Sequence, residues 1–279
     1  MRASGTIDFA ALDDALLAPP DRTDRIRQVL SSRTVAGIGP ALEYSLQRPR
    51  YPAILPELES LPASESVNAL LRVLHPASQS NHLCSTSFDP CSVEFALLCY
   101  RDSALDGAGW TAYLQRLKNA AKRSGFGDTT AKGLVGAVKE LVENVDLHSE
   151  APDTGVIGYA YTDHTFDFVI ADTGIGVLES LRRCPDYEHL ADHGDALHTA
   201  LTDGESRYGR NTNHGRGFRQ LFVALANLYG SLRFRSGDHR LEIEGSSPNL
   251  PTATIAQTAA YQGFMVAVSC RTKPPEIPA

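Results

Sequence analysis

The chain has 279 residues, 42% of them hydrophobic, and a formal net charge of −7. This hydrophobic fraction is sufficient for a packed core, and the negative charge argues against a protein that binds nucleic acids through bulk positive charge. No apolar run reaches the roughly 18 residues that a membrane-spanning helix requires. The N-terminus, with Asp8, Asp13 and Asp14, is unlike a secretion signal. We therefore expect a cytoplasmic protein without membrane association.

The cysteine pattern agrees with that location. The five cysteines are odd in number, without C-x-x-C spacing: Cys84, Cys91, Cys99, Cys184 and Cys270. We expect reduced, mostly buried thiols, as in a cytosolic protein.

Residues 1–80 carry helical patterns and no recognisable chemical motif. Amphipathic periodicity and prolines predict short helices over 7–17, 22–30, 39–46 and 64–74. We interpret the region as a helical accessory element that packs on the rest of the chain or binds a protein partner. The turn-rich connector 81–108 follows, with an apolar run that fits a strand or a buried helix.

A second set of helices begins after this connector. Residues 109–125 have an amphipathic pattern, and 139–149 form the centre of a longer helix. Glu140 and Asn144 are four residues apart, so their side chains lie nearly one above the other beside an apolar stripe. Such a pair at the rim of a core helix suits a hydrated divalent cation or a water molecule that must be activated.

Two apolar runs, 156–161 and 165–171, predict a β-hairpin that leads directly into Asp172-Thr173-Gly174-Ile175-Gly176. A carboxylate at a strand end, followed by two glycines, permits a tight turn and close approach to a ligand. Asp172 can accept hydrogen bonds from an exocyclic amine such as that of adenine. The alternative is an ordinary Asx-type turn.

The segment 178–208 holds short helices, one over 195–201, and three histidines: His189, His193 and His198. The first two are one helical turn apart, but they complete no known metal-ligand spacing. Residues 203–214 are polar and glycine-containing, a composition typical of a mobile loop.

This loop leads to Gly215-Arg216-Gly217 and a predicted helix over 218–229. Glycines before a helix N-terminus expose backbone N–H groups at the positive end of the helix dipole, which favours an anion. A plain junction between loop and helix is the alternative. Strands over 231–236 and 240–245 are predicted to form a hairpin around Gly237-Asp238, and 263–269 is the last strand. The proline-containing tail 274–279 is expected to be frayed.

The order of these motifs resembles the GHKL superfamily of histidine kinase-like ATPase domains. Residues 139–149 resemble its N box, 172–176 its first glycine box and 214–218 its second. Gly263 stands near the place of the final glycine motif, although Phe264 replaces the small hydroxyl residue usual in the family. The resemblance covers about 109–272 and implies an ATP-binding domain over 109–273. The implied fold is α+β, a two-layer α/β sandwich of the Bergerat type, with a mixed sheet and helices on one face.

The same resemblance implies roles for individual residues. Asn144 would coordinate Mg²⁺ that bridges the phosphates of ATP or ADP, and Asp172 would bind the adenine amine. Glu140 would activate the attacking water. The glycine boxes would shape the adenine pocket and hold the phosphates, with residues 203–214 as the ATP lid. The implied nucleotide-binding set is Asn144, Asp172, Gly174, Gly176, Gly215, Arg216, Gly217 and Phe218.

Three functions agree with these motifs. The first is a slow Mg²⁺-dependent ATPase or nucleotide-controlled switch. The second is a protein kinase of the histidine-kinase or anti-sigma type that acts in trans, a branch that Asn144 followed by His148 resembles. A dimerisation helix pair with a phosphoacceptor histidine is not found, which argues against a complete sensor kinase. The third is a non-catalytic ATP or ADP sensor. Walker A, Rossmann and G-x-S-x-G motifs are absent from the sequence.

Overall fold

A computed structural model describes residues 5–74, 87–99, 107–202, 229–246 and 250–272. The N-terminal part contains four helices and two very short strands. They are β1 (Thr6–Ile7), α1 (Phe9–Leu16), α2 (Thr23–Ser31), β2 (Thr34–Val35), α3 (Ile38–Gln47) and α4 (Glu65–Leu74). The four helices predicted from periodicity are therefore present, with ends shifted by a few residues.

The rest of the described chain supplies the main sheet and four more helices. They are β3 (Val93–Leu97), α5 (Ala108–Arg123), α6 (Asp128–His148), β4 (Val156–Tyr161), β5 (Thr165–Asp172), α7 (Gly176–Arg182), α8 (His193–Leu201), β6 (Tyr229–Ser246) and β7 (Thr254–Arg271). The apolar run after the connector is thus a strand. Among the described cysteines, Cys184 and Cys270 are buried while Cys91 is exposed, and all are free thiols.

The main sheet has five strands in the order β3-β4-β5-β7-β6, and β1 pairs with β2 in a separate parallel ladder. The α+β class is confirmed. All four neighbouring pairs of the five-stranded sheet are antiparallel, whereas the resemblance implied a mixed sheet. The short loops that join β4 to β5 and β6 to β7 explain part of this difference, because short connections permit only antiparallel pairing.

The predicted hairpin around Gly237-Asp238 is wrong. Residues 229–246 form the single strand β6, and its hairpin partner is β7. Gly237 has φ +58 and lies at an irregularity of the β6–β7 ladder. A glycine with positive φ suits a β-bulge as well as a turn, so this signal did not distinguish the two.

One face of the sheet packs against α5 and α6. The apolar stripe predicted for the central helix is buried here: Leu134, Val138, Leu141, Val142 and Val145. These side chains contact sheet residues such as Phe168, Ile170 and Val266 in one continuous cluster. This packing fixes the orientation of α6, and with it the edge that carries Glu140 and Asn144.

The other face packs against the N-terminal helices. Their apolar side chains form a second cluster with Val169, Ala171, Met265 and Ala267 of β5 and β7. The helices therefore cover both faces of the sheet, unlike the predicted arrangement with helices on one face. The reason is visible in β5, where Phe168, Val169, Ile170 and Ala171 are all buried, so both faces need a covering layer.

Buried charges also join the N-terminal helices to the sheet. Asp13 of α1 and Glu43 of α3 face Arg233 and Arg235 of β6, and all four side chains are at most 6% exposed. Arg233 Nε donates to Glu43 Oε2 at 2.9 Å, and Arg233 Nη2 donates to Asp13 Oδ1 at 2.8 Å. We call these four residues the interlayer ion cluster. Sequence analysis did not predict it.

Candidate functional site

Asp172, the last residue of β5, is 1% exposed. Its Oδ1 accepts a hydrogen bond from the backbone N–H of Gly174 at 2.7 Å, which is the geometry of an Asx turn. Its Oδ2 is buried and has no hydrogen-bond partner among the described residues. Because an unpaired buried acceptor is costly, this oxygen indicates a ligand that donates a hydrogen bond. Within the described part of the chain, Asp167 Oδ1 of the same strand also lacks a partner.

The environment of Asp172 alters its acidity. Burial raises the pKa of the carboxyl to about 6, while backbone N–H groups of Gly174 and Phe264 act in the opposite direction. The carboxyl is therefore mainly ionised at pH 7 and can still accept hydrogen bonds there.

The segment Asp172–Gly176, which we call the Asp172 loop, is pressed against the C-terminal end of α6. Ile175 N–H donates to the carbonyl oxygen of Ser149 at 2.9 Å. A Cβ on Gly174 would lie 2.0 Å from that same oxygen, so no other residue fits without moving the backbone. The structure thus brings the first glycine motif into contact with the end of the helix that carries Glu140 and Asn144.

Gly263 of β7 packs against Asp172 from the neighbouring strand. It has φ +81, and a Cβ there would lie 2.1 Å from the Asp172 carbonyl oxygen and 2.7 Å from Oδ1. The next residue, Phe264, is the ladder partner of Asp172. The ring of Phe264 meets Phe234 edge-on, with centroids 6.1 Å apart, on the same side as α6.

Ser236 of β6 completes the support of the Asp172 loop, and sequence analysis did not identify it. Its hydroxyl donates to the carbonyl oxygen of Gly263 at 2.8 Å and accepts from Val177 N–H at 2.9 Å. Gly176 has φ +77, and a Cβ there would lie 2.7 Å from Ser236 Oγ. The sequence signal that could have identified Ser236 is a polar residue at a buried position of strand β6.

Glu140 and Asn144 are partly exposed on α6, at the edge of its buried stripe. One oxygen of Glu140, Oε2, is buried without a hydrogen-bond partner among the described residues. Burial, and secondarily the charge of Glu143, raises the pKa of Glu140 to about 7. A carboxyl with this pKa is suited to exchange a proton with water near neutral pH. Asn144 lies about 6 Å from it along the helix axis.

The second half of the predicted site is outside the described residues. Gly215, Arg216, Gly217 and Phe218 belong to this part, as does the predicted lid 203–214. The phosphate-binding role of these residues stays a prediction.

Two other features of the described chain are separate from the Asp172 loop. In the described ranges, no group of three or more His, Cys, Asp or Glu side chains is arranged to hold a metal ion. A cavity of about 240 Å³ lies between the N-terminus of α3 and the sheet. Asp167, Ser231 and Arg233 line it, and none of the predicted site residues in the described ranges does.

Comparison of the chain with models of known protein families gave no match, and comparison with curated proteins gave none either. Within the described ranges, none of the helices has both the length and the apolar character that crossing a membrane requires.

Proposed function

We propose that the chain binds an adenine nucleotide together with Mg²⁺ at the Asp172 loop and α6, as a histidine kinase-like ATP-binding domain. Its activity would be that of a slow ATPase or a nucleotide-controlled switch. The observation that carries the proposal is Asp172 Oδ2, a buried oxygen without a partner at the end of a strand. The adenine amine has the donor that this oxygen lacks.

The packing around Asp172 supports the same function. Because Gly174 and Gly263 have no Cβ, the Ser149 backbone packs against Gly174 and Gly263 packs against Asp172 at distances that a side chain would exclude. The Asp172 carboxyl is therefore fixed before a ligand arrives, which reduces the entropy lost on binding. A rigid acceptor beside backbone without side chains suits a flat, planar base.

Glu140 and Asn144 would serve the phosphate end of the nucleotide. The Asn144 carboxamide oxygen is a suitable Mg²⁺ ligand, because this ion prefers oxygen and keeps several waters in addition to few protein groups. When bound, Mg²⁺ would neutralise phosphate charge. Glu140, with a free buried oxygen and a pKa of about 7, would accept a proton from the water that attacks the terminal phosphate.

Titration calorimetry with a non-hydrolysable ATP analogue and Mg²⁺ tests the binding site. We expect Asp172→Asn to weaken binding by about 1–3 kcal/mol, the range for a buried polar group left without its partner. Asp167→Asn is the matched control, since it changes a carboxyl of the same strand that points to the opposite face. Wild-type protein that is folded and binds no adenine nucleotide would overturn the proposal.

Phosphate release from ATP tests the catalytic assignment separately. We expect Glu140→Gln to keep nucleotide affinity and to lose most of the turnover, because the amide cannot accept the proton. Turnover equal to that of the wild type would remove Glu140 from the mechanism. If the wild type binds ATP but releases no phosphate above the blank, the result indicates a nucleotide sensor. Phosphate found on an added protein would indicate a kinase.

A further inference from the structure

The β6–β7 ladder is interrupted beside the Asp172 loop. Ser236 pairs with Phe264, but the next residue of β6, Gly237, pairs with Tyr261. Two residues of β7, Gln262 and Gly263, therefore have no pairing partner on β6. Bulges of this kind are frequent next to functional sites, where they redirect the chain.

Both unpaired residues of this bulge contact the Asp172 loop. Gln262 Nε2 donates to the carbonyl oxygen of Thr173 at 2.9 Å. Gly263 packs on Asp172 so closely that a Cβ would lie 2.1 Å from its carbonyl oxygen. The position of the bulge thus determines the position of the loop, and in particular of the Asp172 carboxyl.

A single hydroxyl replaces the missing ladder contact. Ser236 Oγ donates to the carbonyl oxygen of Gly263 in the bulge and accepts from the backbone N–H of Val177, just after the loop. Ser236 is 1% exposed, so water does not reach these bonds from bulk solvent. Without the hydroxyl, two backbone groups would lose partners in a buried place.

The neighbouring residue explains why Ser236 itself is held firmly. Arg235, which is fully buried, donates to Glu43 Oε1 and to the carbonyl oxygen of Ala259, each at 2.5 Å. The interlayer ion cluster therefore fixes β6 immediately before the bulge. Because β6 is fixed at Arg235, Ser236 faces the bulge of β7 from a defined place.

We propose that Ser236 is a positioning residue, whose hydroxyl locks the β7 bulge to the start of α7 and thereby holds Asp172 in its ligand-accepting geometry. Its importance for a nucleotide rests on the proposed function above. Ser236 does not itself need to touch the ligand.

The first test measures Asp172 in the absence of any ligand. Carbon-detected NMR titration of the Asp172 carboxyl is expected to give a pKa of about 6 in the wild type. In Ser236→Ala the loop loosens and water enters, so the pKa should fall by at least half a unit toward its ordinary value. Ser236→Thr keeps the hydroxyl and should restore the wild-type value. Ser231→Ala, a serine of the same strand at the distant cavity, is the control and should change nothing.

The second test measures affinity for the ATP analogue with Mg²⁺. We expect a 5- to 50-fold loss in Ser236→Ala, recovery in Ser236→Thr and no loss in Ser231→Ala. An Asp172 pKa and an affinity both unchanged in Ser236→Ala would overturn the positioning role. A wild type that binds no nucleotide would refute the proposed function alone, because the titration without ligand still decides the role of Ser236.

A further variant covers the case in which Ser236→Ala does not fold. Ser236→Cys keeps nearly the same shape, but its thiol is a weak acceptor. Hydrogen exchange at the Val177 amide should then be at least tenfold faster than in the wild type. An exchange rate equal to that of the wild type would show that the Ser236 hydroxyl does not hold the start of α7.

Discussion

Two pairs of acids with buried oxygens have different surroundings. On the N-terminal face, Asp13 and Glu43 are each paired with buried arginines. On the α6 face, Asp172 and Glu140 each keep a buried oxygen without a partner. Asp167, on the N-terminal face, also keeps a buried oxygen without a partner among the described residues, so the contrast is between these two pairs of acids and not between the faces. The first pair holds layers together, and we propose that the second pair is available to a ligand.

The pKa directions agree with this comparison. Burial alone would raise the pKa of Asp13, but hydrogen bonds and charges from Arg233, Arg240 and Arg235 lower it below its usual value. Burial raises the pKa of Asp172 to about 6 because no cation opposes it. Charged Asp13 therefore stabilises the fold, whereas charged Asp172 destabilises it.

The largest expected effect comes from the paired acids. Glu43→Ala should reduce the free energy of unfolding by about 3–5 kcal/mol, because it leaves two buried arginines partly uncompensated. Urea denaturation measures the loss. Glu57→Ala is the control. Glu57 is 62% exposed and pairs with Arg48, and such a surface pair is expected to contribute under about 1 kcal/mol. Equal losses in both variants would contradict the difference between buried and surface pairs.

The apolar packing of the α6 face gives the next effect. Leu141 is fully buried in the stripe of α6, so Leu141→Ala should cost about 3 kcal/mol through lost burial and a cavity. On the same helix, Leu147 is 42% exposed, and Leu147→Ala should stay within about 0.5 kcal/mol. Chemical denaturation of the two variants decides whether α6 faces the sheet as described.

The unpaired acid Asp172 should give an effect of opposite sign that depends on pH. Its pKa is raised in the folded state, so the folded protein holds the proton more tightly and stability falls as pH rises from about 4 to 7. Asp172→Asn removes this penalty and should gain roughly 2–3 kcal/mol relative to the wild type between those pH values. A relative stability that does not change with pH would show that Asp172 is not desolvated.

Glu140 should give the smallest effect. Its pKa is raised to about 7 in the same direction, but its side chain is partly exposed and solvent screens the penalty. Glu140→Gln should therefore gain up to about 1 kcal/mol at pH 8 and nothing at pH 4. A large gain at pH 8 would mean that solvent screens Glu140 less than its exposure indicates, and a loss would mean that Glu140 has a partner in the folded protein.

The same comparison shows what sequence could predict. The stripe of α6 and the turn after β5 follow from local spacing, and the structure confirms both. The interlayer ion cluster joins residues 220 positions apart, such as Asp13 and Arg233, and no local pattern reveals such a pairing. The role of Ser236 depends on the register of the bulged β6–β7 ladder, and a shift of one residue would turn its side chain to the other face. The covering of both faces follows from the continuous apolar run of β5, in which consecutive residues are buried on opposite sides of the strand.

The most direct measurement follows the Asp172 carboxyl by NMR while an ATP analogue and Mg²⁺ are added. A hydrogen bond from the adenine amine favours the charged form, so we predict that saturation lowers the pKa of Asp172 from about 6 toward its ordinary value. The carboxyl resonance should shift in proportion to the bound fraction. A nucleotide that binds while the Asp172 resonance and pKa stay unchanged would contradict the assignment of this residue as the adenine acceptor.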